Sequence, residues 1–301
     1  MIVQIYEIQK PLDAERCLDL GVDHIGSVLL TSDNWRSADL KKVTALAAQA
    51  GAKSSLLPLF EDLDVILKVL DYYNPGLIHL CQAVTDDKGE KSDLKDFIAL
   101  QESIRKNFPK TGIMRSIPVP ASGGFQGFPT LDLARELESV SDYFLVDTWL
   151  GREPVEGYIG ITGKKADWDI AKALVFQSTI PVILAGGLSP DNVYEGLMKV
   201  MPAGADSCTL TNRVKASGLP ERFNKDFKKL EDFIREIRRA EADIQRKRAC
   251  LLERLERLKA DLREREAAMP AHSIRPHQLI ELEELEEKIE ETENRLKKIP
   301  G

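Results

Sequence analysis

The chain has 301 residues, which is enough for one large domain or two small ones. Its formal net charge of −7 disfavours a general nucleic-acid-binding role, because that role calls for a basic surface. The four cysteines are scattered and form no Cys-x-x-Cys pair, which argues against a zinc site or a disulfide framework: Cys17, Cys81, Cys208 and Cys250.

We also expect no targeting or membrane segment. Met1–Ile5 enters a predicted strand at once, without the basic region and cleavage site of a secretory leader. No apolar run approaches the length of a membrane-spanning helix. Together with the cysteine usage, these features predict a cytoplasmic protein that requires no metal and no cofactor.

Short apolar runs alternate with helical patterns along residues 1–222, which we predict to be one domain. The predicted strands are Ile2–Ile8, His24–Leu30, Lys53–Phe60, Gly76–Leu80, Gly112–Ile117, Tyr143–Asp147, Pro181–Ala185 and Ala205–Thr209. The predicted helices are Leu12–Leu20, Ala38–Ala50, Leu63–Tyr72, Leu94–Asn107, Leu131–Leu137, Trp168–Gln177 and Asn192–Val200. Crossovers of this length imply parallel pairing and right-handed β-α-β units. Near-equal units favour closure into a (β/α)8 TIM barrel, with a doubly wound open sheet as the alternative.

The segment from the seventh strand to the next helix has the features of an anion site. Pro181–Ala185 is a short apolar run of the kind that forms a buried parallel strand, and Gly186 and Gly187 follow it. Unpaired backbone N–H groups and the positive end of a helix dipole converge at such a turn. In TIM barrels the phosphate site commonly follows strands seven and eight. The alternative is that Gly186-Gly187 only forms a tight turn.

The composition changes sharply after Pro220, and we predict that residues 223–301 form the eighth barrel helix, which extends into a helical coiled-coil hairpin. From Phe223 to about Ala268, apolar residues recur at heptad spacing (Ile237, Ile244, Leu251, Leu255, Leu258 and Leu262). After a break at Met269–Pro276, a second seam follows (Leu282, Leu285, Ile289, Leu296 and Ile299). The first helix is rich in Arg and Lys and the second is acidic, which favours an antiparallel two-helix coiled coil. Such a hairpin is a partner-binding arm, a dimerisation element or a spacer.

Two motifs in the barrel carry a family resemblance. Residues 160–168 read Gly-Ile-Thr-Gly-Lys-Lys-Ala-Asp-Trp, and residues 184–192 read Leu-Ala-Gly-Gly-Leu-Ser-Pro-Asp-Asn. In both motifs and their spacing, the chain resembles the phosphoribosylanthranilate isomerases, barrel enzymes of the tryptophan pathway. The resemblance covers roughly residues 1–223 and does not extend to the C-terminal segment.

The resemblance implies an Amadori rearrangement of a phosphoribosyl-amine. In the family a general acid opens the sugar ring, and a general base then removes the proton from C2. The acid is the aspartate that ends strand six, which corresponds to Asp147. The base is the cysteine of Lys-Ile-Cys-Gly-Ile-Thr in strand one, and Tyr6 stands in its place here. A tyrosine with a pKa of about 10 is a poor base unless strongly perturbed, so Glu7 and Cys81 are further candidates.

The resemblance also implies which residues bind the substrate. Arg36 corresponds to the family's arginine near the substrate carboxylate, a partner that a guanidinium can bind bidentately. The implied phosphate-binding residues are Gly160, Gly163, Lys164, Gly186 and Gly187. In strand eight the family motif ends Ser-Ser-Gly-Val-Glu, whereas this chain reads Cys-Thr-Leu-Thr-Asn at residues 208–212. Leu210 therefore replaces the glycine, and the hydroxyls of Thr209 and Thr211 are the candidates to compensate.

We consider two functions for the whole chain. The first is a family-type isomerase that acts on a phosphorylated small molecule. The alternative is a diverged phosphate-ester-binding barrel without the family base, whose hairpin serves for oligomerisation or partner binding. In either case we expect no membrane and no nucleic-acid partner, and a homo-oligomer or protein partner bound through the hairpin.

Overall fold

The central sheet closes into a barrel. A computed structural model of the chain, which describes residues 1–123, 127–269, 276–297 and 299, shows parallel strands that pair in the order β1 to β8 and back to β1. The strands are β1 (Ile2–Ile5), β2 (His24–Leu29), β3 (Lys53–Pro58), β4 (Leu77–Leu80), β5 (Gly112–Pro120), β6 (Tyr143–Trp149), β7 (Val182–Leu184) and β8 (Gly204–Ser207). The predicted (β/α)8 barrel is thereby confirmed, and the open sheet is excluded.

Helices follow the strands as the alternating pattern predicts. They are α1 (Pro11–Asp19), α2 (Ala38–Gln49), α3 (Leu63–Tyr73), α4 (Lys95–Asn107), α5 (Thr130–Leu137), α6 (Trp168–Gln177), α7 (Val193–Val200) and α8 (Phe227–Ala267). Local chemistry fixes several starts. The Ser37 hydroxyl accepts a hydrogen bond from the Leu40 amide at the start of α2, and the Asp62 carboxylate does the same for Val65 at α3.

Closure of the barrel requires a small residue where its first and last strands meet. β1 pairs with β8 from Ile2–Gly204 to Ile5–Ser207. A Cβ at Gly204 would lie 2.5 Å from the carbonyl oxygen of Ile2, closer than real Cβ contacts. Glycine at this position therefore lets the two backbones approach closely enough to pair.

Apolar and polar side chains are both buried in the barrel. Leu77, Met114, Leu145 and Ile183 form an apolar cluster. Among the buried polar groups, the Tyr6 hydroxyl bonds to Ser55 (2.7 Å) and His79 bonds to Ser116 (2.7 Å). Buried polar groups of this kind are retained because each has a hydrogen-bond partner.

The strand pair β9 (Asn212–Val214) and β10 (Pro220–Lys225) was not predicted. It is antiparallel, lies between β8 and α8 along the chain, and contains a register irregularity. The last barrel helix consequently begins at Phe227 rather than at Phe223. The predicted strand Ile2–Ile8 also ends early, at Ile5, and Glu7 takes the left-handed conformation with φ of 63°.

Contacts divide the chain into two compact units, Met1–Arg238 and Arg239–Gly301, with the boundary inside α8. In the second unit, α9 (Pro276–Leu296) runs antiparallel to the end of α8, as the ion pairs Lys259–Glu293 and Arg265–Glu281 show. Leu251, Leu255, Leu285 and Ile299 are buried. The hairpin of two C-terminal helices is therefore confirmed, while residues 270–275 of the predicted break lie outside the described residues.

Along the described parts of the chain, every helix is too short or too polar to cross a membrane.

Candidate active site

A cavity lies at the carboxyl ends of the strands, where TIM-barrel enzymes place their active sites. Side chains from the ends of β1, β4, β6 and β8 line it together with the loops after β6, β7 and β8. The described lining includes Tyr6, Glu7, His79, Cys81, Asp147, Gly163, Gly186, Gly187, Asp206, Thr209, Leu210 and Arg222. Most of the residues that the sequence singled out are therefore brought together here.

Asp147 occupies the position predicted for the acid. It lies in β6 and faces the cavity, and its Oδ1 accepts a hydrogen bond from the Thr148 amide (3.1 Å). Burial raises the pKa of Asp147 to about 7. Gly160 covers this carboxyl group closely, because a Cβ at Gly160 would lie only 2.1 Å from Asp147 Oδ2. The loop after β6 thus encloses an acid that can hold a proton near neutral pH.

Asp206 is a second carboxyl group in the cavity, and the sequence analysis missed it. It lies in β8 and is 6 % exposed. Burial, helped by the charge of Asp147, raises its pKa to about 8, although a hydrogen bond with Gln4 and the charge of Lys225 partly offset the rise. Its Oδ1 has no hydrogen-bond partner among the described residues. The signal was available, since a polar residue near the end of a barrel strand points to the site.

Tyr6, which stands in the place of the family cysteine, lies in the barrel lumen. Its ring passes over Gly26, where a Cβ would come within 2.4 Å of it, and lies 5.2 Å from the His79 ring. Its hydroxyl bonds to Ser55, and burial raises the pKa of Tyr6 well above its usual value. The hydroxyl therefore stays protonated at neutral pH.

Glu7 also lines the cavity, but three donors occupy its carboxylate. Asn212 Nδ2 and the Phe223 amide donate to Oε2 (2.7 and 3.2 Å), and Arg222 Nε donates to Oε1 (2.6 Å). Burial alone would raise the pKa of Glu7, yet these bonds and the charge of Lys225 lower it. The carboxylate is therefore ionised and weakly basic.

The histidine and the cysteines that line the cavity do not supply a base either. Burial lowers the pKa of His79 to about 3, and it raises the pKa of the Cys81 and Cys208 thiols. A buried thiol that stays protonated is inert.

The loops after β6 and β7, which carry the residues of the predicted anion site, pack against each other. Gly186 and Gly187 have φ of 81° and 62°, which favours glycine. A Cβ at Gly187 would lie 2.6 Å from the carbonyl carbon of Lys164, so the two loops pack backbone to backbone. The Thr148 hydroxyl donates to the Lys164 carbonyl (2.7 Å) and holds this contact.

The end of the loop motif has a structural role. Asp167 accepts hydrogen bonds from the amides of Asp169 and Ile170 and caps α6. Trp168 is buried, and its ring lies 3.0 Å from where a Cβ of Gly196 would be. This part of the motif therefore fixes the helix that follows the loop.

Four predicted binding residues do not line this cavity. The Arg36 guanidinium lies over the Trp35 ring, 4.9 Å from its centre. Lys164 contributes its backbone to the contact with Gly187, and Gly160 covers Asp147. The Thr211 hydroxyl donates to the Cys208 carbonyl (3.1 Å). Their predicted roles in binding stay untested.

Within the described ranges, no cluster of three or more His, Cys, Asp or Glu side chains could hold a metal ion. The cavity thus offers titratable carboxyl groups beside the turn at Gly186-Gly187.

In amino-acid sequence, the barrel is similar to one family of enzymes. The family model for N-(5'-phosphoribosyl)anthranilate isomerase matches residues 100–214. An isomerase of that name from Methanosarcina acetivorans is 26 % identical over 244 residues, which covers 78 % of this chain and 92 % of the relative. A relative of the same name from Haloferax volcanii is 46 % identical over 85 residues, which covers 28 % of this chain and 35 % of the relative.

Solved structures show the same fold. The phosphoribosyl anthranilate isomerase from Thermotoga maritima aligns with a TM-score of 0.57 at 18 % identity, over 79 % of this chain and 99 % of that one. An isomerase solved with reduced 1-(o-carboxyphenylamino)-1-deoxyribulose 5-phosphate aligns with a TM-score of 0.55 at 18 % identity, over the same shares. The family model covers residues 100–214, which lie within the unit Met1–Arg238, and the C-terminal hairpin lies beyond it.

Proposed function

We infer that the barrel of this chain belongs to the N-(5'-phosphoribosyl)anthranilate isomerase family, and we propose that the chain isomerises a phosphoribosyl-amine to its ketose in tryptophan biosynthesis. One observation carries the proposal. Asp147 and Asp206 line the same cavity, and burial raises the pKa of each toward neutrality. Between a pH of about 7 and about 8 such a pair holds one proton. Because the pKa of Asp206 is the higher, that proton lies mainly on Asp206, and the form that reacts is the smaller fraction in which Asp147 carries the proton and Asp206 is ionised.

Asp147 acts as the acid. It donates its proton to the ring oxygen of the ribose while the bond from C1 to that oxygen breaks and the amine lone pair forms a C1=N bond. This step suits a carboxyl group whose pKa burial has raised, because such a group is still protonated near neutral pH.

Asp206 acts as the base. It takes the proton from C2, the electrons of that bond form C1=C2, and the π electrons of C1=N return to nitrogen. Proton transfer from the C2 hydroxyl to C1 then yields the ketose. We assign this role to Asp206 because its Oδ1 is unpartnered, whereas the Tyr6 hydroxyl bonds to Ser55 and three donors occupy Glu7.

Asp147→Asn tests the proposal. The amide cannot donate a proton as readily, so kcat should fall by roughly 10²- to 10⁴-fold while the protein stays folded. The assay follows loss of anthranilate-type fluorescence with freshly prepared phosphoribosylanthranilate. Asp132→Asn, on the exposed face of α5, is the matched control and should keep full activity.

The alternative function is a phosphate-ester-binding barrel that has left this chemistry. Tyr6 in the place of the family base and Leu210 in the place of a phosphate-binding glycine support it. Folded wild-type protein without turnover of phosphoribosylanthranilate would favour this alternative over the isomerase.

We propose that the second unit, Arg239–Gly301, serves self-association. Two paired helices bury only the narrow row of apolar residues between them. Apolar residues outside that row favour the packing of further helices against the hairpin. Leu279 and Ile280 are adjacent in α9 and largely exposed, at 46 % and 54 %. We also assign the cytoplasm as the compartment, since all four cysteines are free thiols.

A further inference from the structure

Arg222 is the feature of the cavity that the proposed reaction leaves without a role. It lies in β10, the unpredicted strand, and its side chain reaches the cavity lining. Arg222 is the only lysine or arginine among the described residues that line the cavity. The same lining carries the carboxyl groups of Glu7, Asp147 and Asp206. A phosphate dianion entering this cavity therefore needs a cation beside it.

The guanidinium of Arg222 is fixed from one side. Its Nε donates to Glu7 Oε1 (2.6 Å), and Glu7 is almost fully buried while the Arg222 side chain is 40 % exposed. Neither Nη atom has a hydrogen-bond partner among the described residues. A guanidinium held through Nε still presents the edge formed by its two Nη groups, which can bind two oxygens of an oxyanion.

The backbone is strained in both of the segments that this ion pair joins. Glu7 and Phe223 are non-glycine residues with φ of 63° and 62°. A side chain with a Cβ atom disfavours this left-handed conformation. The resemblance to Lys-Ile-Cys-Gly-Ile-Thr places a glycine where this chain has Glu7, so the chain keeps a strained carboxylate where the family has none.

The position of Arg222 matches the missing part of the phosphate site. It shares the cavity wall with Thr209 and Leu210, the segment in which Leu210 replaces the family glycine. Thr209 in turn lies against Gly163, at 3.4 Å from where a Cβ of that glycine would be. A side chain at residue 210 restricts close approach of the backbone to a ligand, and a charged side chain can replace the amide contacts that are lost.

We propose that Arg222, oriented by Glu7, binds the phosphate group of the substrate. This proposal rests on the proposed function for the identity of the phosphate ester. The subsite itself can be tested separately, because binding of a free phosphate ion does not require turnover. Glu7 is then a positioning residue and not the base of the reaction.

The test is binding of inorganic phosphate to the full-length protein, measured by calorimetry. Arg222→Gln should weaken binding by roughly ten- to a hundredfold, the usual loss for a charge-assisted hydrogen bond. Arg213→Gln removes an exposed arginine from the neighbouring strand β9, outside the cavity lining, and should leave the dissociation constant unchanged.

A second variant guards against loss of folding, because Arg222→Gln leaves the buried Glu7 carboxylate without its cation. Glu7→Gly/Arg222→Gln removes both charges and relieves the left-handed strain, and it should show the same weakened binding. Unchanged phosphate affinity in either folded variant, or no detectable phosphate binding by the wild type, would overturn the subsite. Arg222-dependent phosphate binding without turnover of phosphoribosylanthranilate would keep the subsite and reject the isomerase.

Discussion

At the scale of single residues, the proposed reaction depends on two buried carboxyl groups that line one cavity, those of Asp147 and Asp206. The position of Asp147 was predictable because it ends a predicted strand and corresponds to the family's acid. The position of Asp206 near the end of β8 was readable from the sequence, but its raised pKa was not, because burial in the folded barrel and the charge of Asp147 cause it. The strain at Glu7 and its partner Arg222 were likewise invisible, because they meet only in the folded barrel.

The two carboxyl groups predict a bell-shaped dependence of kcat/KM on pH. Below a pH of about 7, protonation of both Asp147 and Asp206 removes the base, and above about 8, loss of both protons removes the acid. The maximum should lie between these values. Burial lowers the pKa of His24 to about 4 and of His79 to about 3, so neither histidine produces the acid limb. A plateau that extends down to pH 5 would mean that ordinary, unburied carboxylates carry the reaction.

At the scale of elements, apolar runs at regular spacing predicted every barrel strand to within a few residues. The strand Pro220–Lys225 was not predicted, because its sequence is polar and irregular. Its six residues include Glu221, Arg222, Asn224 and Lys225. Its conformation depends on long-range bonds, notably from the Phe223 amide and Arg222 to Glu7. A local sequence pattern does not reveal contacts between residues that are far apart in the chain.

The loop after β6 provides a matched pair of glycine substitutions. Gly160→Ala should lower kcat by roughly a hundredfold, because the new Cβ would lie 2.1 Å from Asp147 Oδ2 and displace the acid. Gly157→Ala is the control, since Gly157 also has a positive φ of 79° but nothing lies within 4 Å of the added atom. Steady-state kinetics and thermal unfolding of both variants separate the two effects. Equal loss of activity in both would attribute it to backbone strain rather than to contact with Asp147.

At the scale of the whole molecule, heptad spacing predicted two C-terminal helices, and the ion pairs Lys259–Glu293 and Arg265–Glu281 give them antiparallel directions. The predicted coiled-coil packing and the choice of partner stay open to experiment. Heptads specify which side of a helix is apolar, but they do not specify which surface covers it.

Self-association predicts a specific change in mass. Leu279→Glu/Ile280→Glu in the full-length chain should reduce a wild-type oligomer toward the monomer in light scattering, because charges replace the exposed apolar pair. Phe176→Glu is the control, since Phe176 is 71 % exposed on the barrel helix α6 and should not affect assembly. A monomeric wild-type protein, or an unchanged mass in the double variant, would rule out this role for the α9 pair.

The account depends most on Asp206 replacing the family's cysteine as base, and one comparison of turnover tests this directly. With phosphoribosylanthranilate as substrate, Asp206→Asn should lower kcat by roughly 10²- to 10⁴-fold. Tyr6→Phe keeps the ring and loses only the hydrogen bond to Ser55, so its kcat should stay within about tenfold of wild type. The opposite result, with turnover lost in Tyr6→Phe and kept in Asp206→Asn, would contradict the assignment and return the base to the position of the missing cysteine.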